Sequence, residues 1–468
     1  MGTTHIPLMP STLRRSLVIL AASISTALAQ QPAAEVKPAV DFKPTPASIE
    51  LKDGDSWVFL GDSITHQCLY TQYVEDYVYT RYPKLHIHFH NAGVGGDRAS
   101  DALVRFDEDV AAKKPKYCTI LLGMNDGGYR AYDQPTFDTY QQGMTTILDK
   151  LAGIGAQAIP MTPTMFDSRA SKLAGKPGGE VKQQYYNGVL SLYGSWLREQ
   201  AYDRGLEFVD MWGPLNDYTV DARKKDPKFT MIPDSVHPGP AGQVVMAVAL
   251  IENSIVRSQV SQVTVGQEKG QAAIHATHGT AANLQKTDKG VTFDFTADSL
   301  PWVLPPDAAA GFLMTHAGHH FSTEKVFVRD LAPGNYELKI DGTSVAKVSS
   351  GQLAQGVELE TNEATPQYQQ ALKVAMLNKQ RNDEGVRMLR NEWGTMKGKR
   401  RAVAKAENDK TPDLADKKKE LEDFTPIFHT RIEGYIAKAQ SLEDEIYKAN
   451  QPVSHHYEVV PAQAVAAK

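Results

Sequence analysis

Cysteine is nearly absent. Cys68 and Cys118 are the only two in 468 residues, and neither is placed like a catalytic or metal-binding thiol. Cys118 lies in the apolar run "YCTILLG" and Cys68 in a segment of helical character, so two separate buried thiols are expected even if the chain meets an oxidising compartment. An excess of basic charge is absent too. The net charge of −5 offers none of the basic face that nucleic-acid binding requires. No apolar run is long enough to span roughly 30 Å of hydrocarbon; the run from Leu17 is short and broken by Ser and Thr. Internal repeats are also lacking. What remains is a globular composition, 41% hydrophobic and 8% aromatic, and a length that at roughly 150 residues per domain suggests about three units.

The short apolar run follows Arg14 and Arg15 and ends in Ala27-Leu28-Ala29. A positive start, a brief apolar middle and small residues at the cut read as a secretory signal over residues 1–29. An exported protein, periplasmic or extracellular, is expected, with no membrane insertion after cleavage. Residues 30–50 are rich in Pro and Ala and read as a linker.

Over residues 51–259 short apolar runs alternate with amphipathic segments: "WVFLG", "HIHFHNAG", "YCTILLG", "AQAIPMTP" and "LEFVD" each precede a helical stretch. That alternation predicts a parallel sheet covered on both faces, a three-layer α/β/α unit. Residues 260–360 change to period-two alternation, as in "GVTFDFTA" and "GNYELKID", and predict a small β-rich region. Residues 361–450 carry interleaved charges with apolar residues at helical spacing, broken at Thr411-Pro412, and predict a long helical hairpin. Residues 451–468 are left as a tail.

Candidate chemistry gathers where the predicted strands end. In open α/β sheets, sites form beyond the carboxyl ends of the strands. Ser63 stands there, in "VFLGDSITHQ", either as a helix cap or as a nucleophile. "NAGVGGDRASD" follows the second strand; Gly95 and Gly96 admit close approach of backbone N–H groups, or simply make a turn. "LGMNDGG" follows the third and offers the Asn125 amide. Asp234 and His237, three apart in "IPDSVHPGPAG", let a carboxylate meet one imidazole nitrogen while the other faces outward. Other residues carry less. His66 reads as an exposed first-turn residue, and Asp62 and Asp97 as loop braces. His316, His319 and His320 suggest a metal cluster at a glance but lack a carboxylate or thiol at firm spacing. The run Asp210 to Asp217 reads as a loop at the substrate rim, and the basic run Lys397 to Arg401 is balanced by nearby acids.

Taken together, "GDSI", "NAGVGGD", "GMND" and "DSVH", in that order over roughly residues 55–257, resemble the SGNH hydrolases, or GDSL esterase/lipase superfamily. Ile64 replaces the Leu that names the GDSL motif, an apolar exchange. The resemblance implies a flavodoxin-like parallel sheet. It implies Ser63 as nucleophile with Asp234 and His237 as the other triad members. It implies an oxyanion hole of the Ser63 and Gly96 backbone N–H groups and the Asn125 amide, with no cofactor and no metal. By analogy with exported relatives acting on small acyl groups, the expected function is that of a carbohydrate O-acetylesterase acting on small-molecule or polysaccharide acyl esters. A lipolytic acylhydrolase or lysophospholipase is the alternative enzyme, and a glycan-binding protein with an inactive hydrolase domain the alternative of another class.

Overall fold

The first sheet is built from strands buried on both faces. β1 (Ser56–Gly61), β2 (His88–Gly93), β3 (Tyr117–Leu121) and β4 (Gln157–Pro160) pair in the order β2-β1-β3-β4, all parallel. Continuous apolar runs such as "WVFL" are what a sheet covered on both faces demands. The computed structural model describes residues 44–45, 48–174, 184–255, 259–288 and 290–462. The expected signal segment 1–29 and most of the linker lie outside the described residues.

The helices of this part are α1 (Ser63–His66), α2 (Leu69–Arg81), α3 (Ala99–Asp109), α4 (Gln134–Gly153), α5 (Ser168–Leu173), α6 (Tyr186–Arg204), α7 (Trp212–Ala222) and α8 (Pro240–Ser254). The expected fifth strand, "LEFVD", is reduced to one parallel bridge between Val209 and Met161. It has little room. Gly205, in the left-handed region at φ +64°, closes α6, and Asp210 Oδ1 already accepts the Trp212 and Gly213 N–H groups of the next helix.

Beyond residue 259 two further sheets enclose a second core that includes Val263, Phe293, Val326, Leu338 and Val459. The strands are β5 (Ser261–Glu268), β6 (Gln271–Thr277), β7 (Gly279–Thr287), β8 (Gly290–Ala297), β9 (Glu324–Val328), β10 (Asn335–Ile340), β11 (Thr343–Ser349), β12 (Val357–Glu358) and β13 (His455–Pro461). One sheet runs β11-β10-β13-β8-β7 and the other β12-β9-β5-β6. Three short helices, α9 (Ala309–Met314), α10 (Ala317–Phe321) and α11 (Ser350–Gln355), are interspersed. Residues 451–468 differ from the expected tail. Their strand β13 is central, antiparallel to both β10 and β8, and buries Tyr457 and Val459. The helices α12 (Pro366–Arg381), α13 (Arg387–Asn408) and α14 (Leu414–Ala449) are therefore an excursion between two strands of one β unit. A single π-helical turn, Asn382–Val386, joins α12 to α13.

This helical excursion covers the open edge of the first sheet. β2 is an edge strand, and the outward backbone groups of an edge need partners. The Tyr447 hydroxyl lies 2.7 Å from Ile87 N and 3.1 Å from Ile87 O. Arg381 donates to Phe89 O at 3.1 Å, and Arg390, fully buried, donates to Asn91 O. Positions 87, 89 and 91 alternate along the strand, so every second residue is capped by a side chain from more than 290 residues away. Helix α2 beside it is buried throughout from Tyr70 to Arg81. Two of its charged members are held by the excursion: Glu75 by Arg381 at 3.2 Å and Asn382 at 2.8 Å, and Asp76 by the Asn378 amide at 2.8 Å.

Candidate active site

Three of the four motif loops must share one edge of the sheet, because the strands that carry them are parallel and in register. Gly61 pairs with Gly93 on one side and with Leu121 on the other. The residues that follow each strand, Asp62–Ser63, Val94–Asp97 and Leu122–Asp126, therefore emerge side by side. Gly93 permits this closeness, since a Cβ there would lie 2.4 Å from His66 N.

Ser63 begins the short helix α1, and Asp62 caps it by accepting the Ile64 N–H at 2.9 Å. The capping role weighed for Ser63 thus belongs to its neighbour, and the Ser63 hydroxyl is left for other work. His237 Nε2 lies 2.7 Å from Ser63 Oγ. The opposite ring nitrogen, Nδ1, lies 2.6 Å from Asp234 Oδ2, while Asp234 Oδ1 accepts the backbone N–H groups of Val236 and His237. Partial burial pushes the Asp234 carboxyl up, but these bonds from His237 and Val236 outweigh it and hold it below the ordinary carboxylate value. The loop is pinned from behind. Ser235 O accepts Asp167 N at 2.9 Å, and Asp167 is itself held by Arg223 at 2.7 Å and Thr230 at 2.6 Å. Gln243 in α8 accepts Tyr70 N and donates to Gln67 and Pro238 O, fixing the loop's exit beside α1.

The expected N–H donors lie on the neighbouring loops at the same edge of the sheet. Among the described residues, neither the Ser63 nor the Gly96 backbone N–H is engaged by another group of the chain. Gly96 sits at φ +67°, where a side chain is strained. The Asn125 amide is oriented by three contacts. Tyr129 donates its hydroxyl to Oδ1 at 2.9 Å, and Nδ2 donates to Asp97 O at 3.0 Å and to Asp62 Oδ2 at 3.2 Å. Both amide hydrogens are therefore engaged in the resting site, which the sequence did not foretell. Burial pushes the Asp62 carboxyl up to about 7, against the pull of the Ile64 N–H. Burial likewise raises the Tyr129 phenol, which remains a donor.

Arg105 of α3 ties the strand ends together. It donates to Ala92 O at 2.7 Å and Gly61 O at 3.3 Å, and bonds both Asp97 and Asp109. Asp97 is thus a brace, as expected. His66 departs from expectation. It is half-buried, its Nδ1 accepts the Gly95 N–H at 3.3 Å, and its Nε2 meets Asn391 Oδ1 of α13 at 3.0 Å. Burial pushes the ring down to about 4, so it is neutral at ordinary pH. The acceptor role of Nδ1 then leaves the proton on Nε2. The spacing of His66 carried no sign of a partner 325 residues away.

Three further expectations meet the structure. The run Asp210 to Asp217 is not a loop at the rim: from Trp212 onward it is helix α7. The His320 ring lies 6.4 Å from that of His316 and 5.6 Å from that of His319, but among the described residues the three do not form one ligand group. Instead His319 approaches Glu358 and Glu360, with ligand atoms within 4.8 Å of one another, but Lys325 Nζ already sits 2.8 Å from Glu358. A cavity of about 670 Å³ between Val303–Pro306, Phe312, Glu358 and Tyr368 is lined by none of the residues around Ser63. Cys68 and Cys118 are free and buried, and burial pushes both thiols up to about 12. Among the described residues no helix is long and apolar enough to cross a membrane.

Residues 59–245 match the GDSL-like lipase/acylhydrolase family. The chain is 25% identical over 231 residues to an acetylxylan esterase of Geobacillus stearothermophilus, an alignment covering 43% of this chain and 95% of the other. It is 32% identical over 74 residues to an uncharacterized lipoprotein of Bacillus subtilis (strain 168), covering 15% of this chain and 30% of the other. A solved structure described as a gut microbial diltiazem-metabolizing enzyme superposes with a TM-score of 0.77 at 25% identity, over 89% of this chain and 99% of that chain. The last likeness reaches well beyond residues 59–245.

Proposed function

We propose, from the premise that this chain is an ester-hydrolysing enzyme carrying a GDSL-like lipase/acylhydrolase domain, that Ser63, His237 and Asp234 form its triad and that its substrate is an O-acetylated carbohydrate. The observation that carries the triad is the unbroken line of contacts from Ser63 Oγ through both nitrogens of His237 to Asp234, at 2.7 and 2.6 Å.

His237 takes the proton of Ser63 Oγ as the oxygen attacks the ester carbonyl. Asp234 keeps Nδ1 protonated and stabilises the imidazolium. The carbonyl oxygen becomes an oxyanion facing the Ser63 and Gly96 N–H groups and the Asn125 amide. For Asn125 to contribute, the longer 3.2 Å contact with Asp62 is shared with the incoming oxyanion. Collapse breaks the bond to the leaving alkoxide, which receives the proton from His237. Water, deprotonated by His237, then attacks the acyl-serine; the acid leaves and Ser63 regains its proton.

The acetyl choice rests on the acetylxylan esterase relative, matched over 95% of its length. A long-chain acyl substrate is less favoured because the apolar cavity at Val303–Pro306 and Phe312 lies apart from Ser63. Export rests on the Arg14-to-Ala29 signal pattern, with the Bacillus lipoprotein likeness beside it. The test is acetate release from a panel of acetylated polysaccharides, run beside p-nitrophenyl esters of increasing chain length. Preference for chains of about eight carbons or more would replace the deacetylase reading with a lipolytic one. Absence of fluorophosphonate labelling at Ser63 would favour the glycan-binding alternative.

A further inference from the structure

The peptide bond between Gly95 and Gly96 has two ends that matter. Its N–H, on Gly96, is the donor assigned above to the oxyanion. Its C=O, on Gly95, points the opposite way across the same trans plane. That carbonyl accepts a hydrogen bond from Lys397 Nζ at 2.8 Å. Lys397 belongs to α13, 302 residues further along the chain. Its ammonium also lies 2.6 Å from Asp97 Oδ1, and its side chain is only 12% exposed.

Other contacts hold the same loop to the same helix. Val94, fully buried, packs with Leu389, Trp393, Met396 and Phe428 of the hairpin. Asn391 orients His66, which receives the Gly95 N–H. Arg400 and Arg401 reach Glu108 and Asp101 of α3 at 3.0 and 2.6 Å. The basic run Lys397 to Arg401 is thus spent largely on the loop and helix that carry the Gly96 donor.

We infer that Lys397 is a positioning residue of the oxyanion hole: from outside the hydrolase domain it clamps the Gly95 carbonyl, orients the Gly96 N–H toward Ser63 and strengthens it as a donor. A cation on a carbonyl oxygen draws electron density through the amide and leaves the opposite N–H more positive, as in any polarised hydrogen-bond chain. The inference rests on the reading of Gly96 as an oxyanion donor.

Full-length Lys397→Met keeps the aliphatic stem and removes the ammonium. With p-nitrophenyl acetate its kcat is expected to fall about tenfold to a hundredfold, less than the roughly 10²–10³ lost with an oxyanion donor itself, while KM changes by less than about twofold. The corresponding thionoester provides a readout that a merely structural role would not move. Sulfur accepts hydrogen bonds poorly, so the variant is expected to lose much less on the thionoester than on the oxygen ester. Lys397→Gln, a neutral donor, is expected to recover part of the loss, and it carries the test if the Met variant does not fold. Equal losses on both esters, or wild-type kcat in both variants while Ser63→Ala is inactive, would overturn the role of Lys397 and leave the triad standing. Activity surviving in Ser63→Ala would remove the triad reading and this inference with it.

Discussion

Ser63 Oγ and His237 Nε2 lie 2.7 Å apart although 174 residues separate them in the chain. Nothing local holds them; α1 and the loop before α8 are tied by Gln243, which bridges Tyr70, Gln67 and Pro238, and by Gln67 Nε2 donating to Pro238 O at 3.4 Å. Ser63→Ala and His237→Asn are each expected to lower kcat by roughly 10⁴ or more, with the alanine variant refusing a fluorophosphonate label. Both variants are expected to melt within a few degrees of wild type, because each change is small and half-exposed.

Tyr129 and Asn125 separate orientation from donation. Asn125→Ala removes an amide donor and is expected to cost about 10²–10³ in kcat. Tyr129→Phe removes only the bond to Oδ1, so Nδ2 remains but is less fixed. A loss of about tenfold is expected. Steady-state kinetics on one acetyl ester, giving kcat and KM separately, checks the ordering.

Asp62 gives stability a pH dependence with a definite sign. Burial raises its folded value to about 7 from an ordinary 3.8. A raised folded value favours the protonated form, so its contribution is complete below pH 3.8 and is lost as pH rises to 7. Asp62→Asn removes this loss. The variant's stability relative to wild type is expected to climb between pH 4 and 7, by at most about 4 kcal/mol, and then level off. Urea unfolding at pH 4, 5.5, 7 and 8.5 measures it; a flat difference would refute the assignment.

Arg381 is a buried cation between Glu75 at 3.2 Å, Glu443 at 3.6 Å and the carbonyl of Phe89. Arg381→Met leaves two carboxylates buried and Phe89 O on the edge of β2 without its donor. A loss of about 3–5 kcal/mol is expected in chemical unfolding, with part regained in the double variant carrying Glu75→Gln as well.

The sheet and the four motif loops were legible because parallel strands buried on both faces must be continuously apolar, and because the proposed nucleophile, base and N–H donors would have to stand at one edge. "WVFLGDS" and "DSVHPG" declare both demands within a few residues. Other features depend on partners that no local pattern names. His66 shows neither Gly95 nor Asn391 in its spacing. Arg381 and Arg390 look like members of a solvated helical face; only the outward carbonyls of β2 and the carboxylate of Asp109 make them buried. "HHYEVVP" is a short alternating run whose neighbours in the sheet lie over a hundred residues upstream, so its central place could not be read. The "LEFVD" run has a strand's composition, but the turns at Gly205 and Asp210 leave it too few residues to pair.

That central place of β13 has a consequence for biosynthesis. The ribosome finishes the last proposed triad residue at His237, but the helices that cap β2, and the strand that seals the β unit, emerge only by residue 461. At roughly 5–20 residues per second the interval is tens of seconds at the slow end. During it the nascent hydrolase presents an unpaired strand edge, a target for chaperones and a hazard for misassembly, and it lacks the lysine that steadies Gly96. Catalytic competence is thus tied to completion of translation well past the last motif.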